Sequence, residues 1–600
     1  MGNFFSFLAS EEKGTDFSTF DELTKDRLIQ LLKDLKTKKL NPEDGPINEL
    51  DLECTNIIPL CIEAYKKLEK MLKEDKLSAH PKLKKTYFIK PTFSIDKIKI
   101  DAPSSSPQEA QLNYAVKAPV VLFNDNAITI EEFRNAFNNG NNSKDMIGIS
   151  KKILSMMPSF IQQRFIVAFN KIYQNKSSIN EISFGKGSYI YKLGKNGPKD
   201  SEDSFRKIIA IPNVVNHFHR TLALRINEFL SKNNYIDTTI QKGGIAGQKF
   251  GILQQIFKLK CVLRKANLDK AKAAVMFLDI SNAFGNVDLN NLQKILEKYM
   301  IGDNFRDYLR RYYECFEFYM QTNQWTTQSY KWPKGLIQGC PMSPILFVLV
   351  INYILTEINN ECAAHGFDIS LNVKILFLAF VDDICITCKD QKSLEIVFEK
   401  LERKLKEFGL PLNIDKCGIF LINHGDEDKI KEDSILSTIP VISDYKYLGE
   451  YVSSNGDVTQ SFKKFCSLVW SRLNKLDKTI KDEQTKIDLF EKSIMPFISK
   501  KLTAMFDLNK TQKLKFVTLI KEFTDKWNYK KEIGLFCNIK ELMNVVDDDV
   551  IKNMDMTNFD VNIKEELELT NYIMNNNVKF SYEDICEDLE IEDLDFVEDD

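Results

Sequence analysis

Two adjacent acids, Asp382 and Asp383, stand between apolar, β-forming runs in the stretch LAFVDDICIT from Leu378 to Thr387. That pattern predicts the tight turn of a buried hairpin. Two carboxylates about 4 Å apart repel by roughly 4 kcal/mol at an effective dielectric near 20, so such a pair calls for a cation. A third acid, Asp279, closes the run AAVMFL and is expected at the carboxyl end of a strand. Three carboxylates on two neighbouring strand ends make an oxygen-rich set suited to Mg2+. Two such ions can activate a hydroxyl for attack and neutralise a leaving pyrophosphate. Each piece also has a plainer explanation: an Asp-Asp turn is common, and an Asp at a strand end often caps the next helix.

The elements that must position these acids lie in the middle of a 600-residue chain. Helical periodicity fills the amino-terminal end, with Leu23, Leu28, Leu31, Leu32 and Leu35 and then Ile57, Ile58, Cys61, Ala64, Leu68 and Leu72. Two helices are expected there. Pro81, Pro91 and DAPSSSPQEA from Asp101 break the pattern and mark a linker. From Thr129 to about Val452 helices alternate with short apolar runs such as AAVMFLDI and KILFLAFV, which predicts mixed α/β structure. After Ser453 the pattern turns helical again, through SFKKFCSLVWSRLNKLDKTI and KIDLFEKSIMPFI. The longest apolar stretch, Cys340 to Leu355, is broken by Ser343 and Asn352 and falls short of the roughly 20 residues of a membrane span. No membrane-crossing segment is expected.

Five motifs follow one another along this middle region: LDISNAF at 278–284, GLIQGCPMSPILF at 335–347, AFVDD at 379–383, GLPLNIDKC at 409–417 and YKYLG at 445–449. In that order the chain resembles reverse transcriptases of the non-LTR retrotransposon type, with group II intron enzymes as more distant relatives. Upstream, ISKKILSMMPSFI, SYIYKLGKNGPKDSEDSFRKIIAIPNV and HRTLALRINEFL are similar to the fingers of that family, and QKGGIAGQK to its glycine-rich segment. Downstream, SLVWSRLNKL through KSIMPFISKKLTAMF is similar to its helical thumb.

The resemblance implies an α/β right-hand polymerase with an all-helical thumb, to which periodicity and charge add a helical N-terminal extension and an acidic, largely disordered C-terminal tail as expectations. Together these readings divide the chain into the extension at 1–80, the linker at 81–127, fingers at 128–272, palm at 273–452, thumb at 453–540 and tail at 541–600. Carried over residue by residue, it makes Asp279, Asp382 and Asp383 the metal-binding and catalytic acids. Phe284, after Ala283, matches the ring under the sugar of the incoming nucleotide, and Gln338 and Gly339 match the pair that shapes the nucleotide pocket. Arg206 matches the fingers residue on the triphosphate, where a permanently charged guanidinium suits phosphate. Lys416 matches a candidate proton donor to pyrophosphate, although a loop lysine is more often simply solvated. The implied cofactor is a pair of Mg2+ ions, with Mn2+ as an alternative. The implied partners are an RNA template, a DNA or RNA primer and deoxynucleotides. Gly285 stands where the family often has Asp, and Gln248-Lys249 where Arg-Ser is common. Cys385 and Cys388 form no zinc site, since strand residues three apart face opposite ways.

Charge is compatible with such partners. Residues 541–600 hold 20 acidic residues against three lysines, so that, of a total of −3, the tail carries −17 and the first 540 residues +14. A basic body suits a polyanion, while an acidic block is either a solvated tail or a mimic of that polyanion. Twelve scattered cysteines fit a reducing intracellular compartment. The start MGNFFS matches a myristoylation pattern at Gly2, too short a pattern to build on. Two other functions remain open at this point. An RNA-binding, maturase-like or domesticated protein could keep the palm as a scaffold, although all three acids are present. An RNA-dependent RNA polymerase would typically have Gly-Asp-Asp where this chain has Val381-Asp382-Asp383, and a second acid near Phe284.

Overall fold

The computed structural model describes residues 110–529, except 138–144, 146–150, 158, 181, 192–200, 246–250, 323, 371–372, 426–428, 505–507 and 509. The expected amino-terminal helices, Gly2, Gln248-Lys249 and the acidic tail lie outside the described residues.

The chain first runs without regular structure from residue 110 to 127, a segment read above as part of a linker. It is laid on the core instead: Leu112, Tyr114, Val116 and Phe123 pack against buried side chains, and Lys404 Nζ donates to the Gln111 carbonyl at 2.6 Å. Helices α1 (Ile130–Asn135), α2 (Lys151–Met156) and α3 (Ser159–Tyr173) follow. Thr129 starts α1 with a capping box to Glu132, which satisfies two otherwise unpaired N–H groups. Strands β1 (Phe184–Tyr191) and β2 (Phe205–Ala210) then lead into α4 (Asn213–Lys232) and α5 (Gly251–Asp269).

Next come β3 (Ala273–Leu278), α6 (Ala283–Asn286), α7 (Leu289–Lys298), α8 (Asp303–Cys315), β4 (Glu317–Met320), β5 (Tyr330–Lys331) and α9 (Ser343–Cys362). They are followed by β6 (Phe367–Ser370), β7 (Val373–Ile375), β8 (Phe377–Phe380), β9 (Asp383–Cys388), α10 (Gln391–Glu407), β10 (Gly418–Ile422), β11 (Asp444–Tyr447) and β12 (Glu450–Ser453). Helices α11 (Thr459–Thr479), α12 (Glu483–Leu489), α13 (Met495–Ala504) and α14 (Lys510–Lys526) complete the described chain.

Two four-stranded sheets organise these elements, ordered β2-β1-β4-β5 and β10-β3-β9-β8. The first draws strands from both the range 128–272 and the range 273–452. Strands β4 and β5 fall inside the range 273–452 assigned to the palm, yet β4 pairs in parallel with β1, Phe184 opposite Glu317. The second sheet is antiparallel throughout and is buried on both faces. Ala274, Met276 and Leu278 of β3 join the core shared with α9 and α10, whereas Ala273, Val275 and Phe277 join the core shared with α5, Tyr447 and Val452. Six consecutive apolar residues in β3 are what burial on both faces demands.

Helix α9 runs past Leu355, where the apolar stretch read from sequence ends, to Cys362. By length and composition it could cross a membrane, but 78% of its apolar window is buried inside the protein. An all-round apolar helix is what the centre of a two-sided core requires. The four helices after β12 have a core of their own, including Phe465, Val469, Phe490, Phe516 and Trp527. Among the described residues the cysteines are unpaired, and all but the half-buried Cys315 are buried.

Candidate functional site

The three acids meet where strand pairing ends. Leu278 of β3 pairs with Ile384 of β9, so Asp279 leaves the sheet level with Asp383. Phe380 and Asp383 close the β8–β9 hairpin, with Val381 and Asp382 as its turn. Val381 has φ 58°, a left-handed conformation that is strained for a β-branched residue. Its neighbours hold it there. The fully buried Gln241 accepts from the Val381 N–H at 2.9 Å through Oε1, and its Nε2 donates to the Val381 carbonyl at 3.2 Å. The same Oε1 accepts from the Gly243 N–H at 2.8 Å. Gly243 lies so close to the turn that a Cβ there would sit 2.5 Å from the Val381 nitrogen. Gln255 adds two bonds, to the Ile240 carbonyl at 2.6 Å and the Ala379 carbonyl at 2.8 Å. Sequence reasoning singled out the glycines but missed both glutamines. The usable signal was Gln241 next to the paired glycines, a polar residue where the backbone is closely approached.

Charge follows geometry. Burial raises the pKa of Asp382, and the Asp279 carboxylate raises it further against the pull of Arg206 and Lys416. Surrounding protein, then the charges of Asp382 and Asp279, push Asp383 up to about 6. The side chain of Asp383 still reaches solvent. Lys416, at the end of a short 3-10 turn (Ile414–Lys416), places Nζ 2.6 Å from Asp279 Oδ2. The loop bearing it is fixed to the strand end, since Asn413 N–H donates to the Asp279 carbonyl and Ser281 N–H to the Pro411 carbonyl, both at 2.8 Å.

The residues matched to a nucleotide pocket converge from three elements. The Leu336 N–H donates to the Phe284 carbonyl at 2.7 Å, which locks the loop after β3 to the loop before α9. The half-buried Phe284 ring stacks on Phe347 of α9 at 4.9 Å and 17°. Ala283 beside it is buried. The Gln338 carbonyl accepts from Ile209 N–H at 2.8 Å, joining this loop to β2, which carries the exposed Arg206. Gly339 has φ 122°, and any side chain there would collide with the Ile209 carbonyl. Behind the loop, buried His219 bridges Cys340 Sγ at 3.3 Å and the Tyr308 hydroxyl at 2.7 Å.

The sequence reads the three carboxylates as an ion-binding set. Among the described residues no three acidic, histidine or cysteine side chains are gathered closely enough to hold an ion. Lys416 forms an ion pair with Asp279, Nζ to Oδ2 at 2.6 Å. The donor chemistry still fits a hard divalent cation, because three carboxylates act on one another's charge at one strand end. Cys385 and Cys388 join different cores, on opposite faces of the sheet.

Residues 195–452 match the protein family described as Reverse transcriptase (RNA-dependent DNA polymerase). The chain is 25% identical over 416 residues to the Retrovirus-related Pol polyprotein from type-2 retrotransposable element R2DM of Drosophila melanogaster, covering 67% of this chain and 37% of that one. It is 25% identical over 264 residues to the Pol polyprotein from type-1 retrotransposable element R2 of Nasonia vitripennis, covering 42% and 25%. It therefore spans well under half the length of these curated relatives. Apo telomerase from Candida Tropicalis shares 12% identity at a TM-score of 0.34, over 66% of this chain and 70% of that one.

Proposed function

We propose that this chain, similar through its middle to reverse transcriptases of non-LTR retrotransposons, is an RNA-directed DNA polymerase extending a primer 3′ hydroxyl with deoxynucleotides. One observation carries the reading. Asp279, distant in sequence from the adjacent Asp382 and Asp383, comes together with them at one strand end, within electrostatic reach of Lys416 and Arg206. In this reading the first sheet with α3 and α4 forms the fingers, the second sheet with α9 and α10 the palm, and α11–α14 the thumb.

Reverse transcriptases use divalent metal ions, and when bound here two Mg2+ or Mn2+ would lower the pKa of the primer hydroxyl and neutralise the leaving pyrophosphate. Asp279 and Asp382 would hold them, with Asp383 at the rim. Lys416 keeps Asp279 neutralised in the free protein. Released from that carboxylate, its ammonium is free to donate a proton to pyrophosphate. Arg206 would grip the triphosphate with a guanidinium that stays charged. Phe284 would lie under the sugar, and the Gln338–Gly339 backbone would border the base. Template and primer would be held mainly through their phosphates by the basic body.

Asp279→Asn or Asp382→Asn should abolish primer extension on an RNA template, while RNA affinity stays within a few-fold of the parent because phosphate contacts elsewhere dominate binding. Primer extension and filter binding on the same preparations check this. Undiminished synthesis by either variant overturns the assignment.

A further inference from the structure

The helices that follow β12 touch the rest of the protein at a point with unusual chemistry. Hairpin β11–β12 turns through two residues, Leu448 at φ 49° and Gly449 at φ 81°, between the paired Tyr447 and Glu450. A leucine in the left-handed region stores strain, which persists only where neighbours hold the turn. They do so through a buried charge. The Glu450 side chain is 2% exposed, and Lys501 of α13 places Nζ 2.9 Å from its Oε2. The same Nζ donates to the Gly449 carbonyl at 2.8 Å, and the Ser461 hydroxyl of α11 donates to the other oxygen of Glu450. One carboxylate thus ties the hairpin to two helices of a bundle whose core is separate from the others. A buried carboxylate is costly without its partners, so the three groups are expected to move as a unit.

The other end of the hairpin leads to the acids. Tyr445 of β11 stacks on Phe277, two residues before Asp279, at 4.2 Å and 8°. Its hydroxyl donates to the Lys416 carbonyl at 2.9 Å, and Lys416 Nζ is the group bound to Asp279. A continuous series of contacts therefore joins α11 and α13 to Asp279 by way of Glu450, the hairpin, Tyr445 and Lys416. Helix α13 also touches α5, but on the route just described every link is a hydrogen bond, an ion pair, paired strand or a stacked ring.

We infer that Glu450 and Lys501 are positioning residues, a clamp that sets the hairpin against the helical bundle and, through Tyr445 and Lys416, sets the placement of Asp279 for nucleotide addition. This rests on the polymerase reading above and adds to it a coupling between the bundle and the acid. Spatial continuity alone does not establish coupling; an interaction energy between the two ends does.

The test is a double-substitution cycle on the full chain. Lys501→Met, Tyr445→Phe and their combination are measured in single-turnover addition of one nucleotide, where amplitude reports the folded, competent fraction and the rate constant reports positioning. Lys501→Met is expected to slow the rate constant about tenfold at nearly unchanged amplitude, and Lys501→Arg to restore most of it. The double variant should be no slower than the slower single one. Glu450→Gln, which keeps shape and removes charge, should repeat the effect of Lys501→Met if the latter folds poorly. A lower amplitude at unchanged rate constant, or multiplying effects in the double variant, overturns the clamp. Hydrogen exchange on the same proteins needs no catalysis, and so separates failure of the clamp from failure of the polymerase reading. In Lys501→Met the hairpin and residues 414–417 should exchange faster together, and acceleration confined to the hairpin overturns the inference.

Discussion

Phe284 shows how one side chain can serve two demands. Its ring is half-buried and stacks on Phe347, so part of it is core; its carbonyl pins Leu336, so its backbone shapes the loop beneath the proposed pocket. If the exposed part of the ring fills the volume a ribose 2′ hydroxyl would need, discrimination arises from a clash built against the wrong substrate. Phe284→Val should then raise ribonucleotide incorporation relative to deoxynucleotide, and a shift on the order of 100-fold corresponds to about 2.7 kcal/mol of transition-state discrimination. The stack on Phe347 makes a second outcome distinguishable. As an ordinary core aromatic, Phe284 would on truncation cost roughly 3–5 kcal/mol of stability, and both substrates would lose activity together. Matched single-nucleotide kinetics with a melting curve separate the two, and an unchanged selectivity ratio in a folded variant refutes the gate.

The β8–β9 turn depends on partners outside the hairpin. Gln241 makes three hydrogen bonds there, two of them to a valine whose φ of 58° the turn would otherwise relax. Gln241→Met keeps the bulk and removes those bonds, leaving the part-buried Val381 N–H without its partner, at a cost of about 1 kcal/mol. Primer extension should fall more than tenfold, and Val381→Gly in the same chain should recover part of it by removing the strain. No recovery would mean that the conformation of the turn is not what Gln241 supplies. This element also marks how far the sequence could be read. The hairpin and the strand ending at Asp279 were legible because apolar runs bounded by acids leave little choice of fold. Gln241 was not, because a buried amide looks like a loop residue until its partners, 140 positions away, are known. The pairing of β4 with β1 was hidden for the same reason, since neither strand alone names its neighbour. Its trace lay in Gly185 and Gly187, where Phe316 and Met320 pack so closely that no side chain fits.

At the scale of the whole molecule the dominant fact is the separation of charge. The first 540 residues carry +14 and the last 60 carry −17, on a chain proposed to hold nucleic acid largely by its phosphates. A covalently attached acidic segment is at high effective concentration, so it can compete with RNA for basic surface without needing a specific fold. Competition and mere solvation differ in their salt dependence. If the tail occupies cationic sites, fewer counterions are released when RNA binds the full chain, and the plot of log affinity against log salt should be shallower than for a chain ending at residue 540. The affinities should differ most near 10 mM salt, where the Debye length is about 30 Å, and approach each other near 150 mM, where it is about 8 Å. Salt titrations of RNA binding by the two forms measure this directly, in the absence of nucleotide so that catalysis plays no part. Deletion of residues 541–600 is expected to tighten binding several-fold at the low-salt end. Two parallel lines with equal affinities would leave the tail as a solvated block, and the basic body as open to RNA in the full chain as in the shortened one.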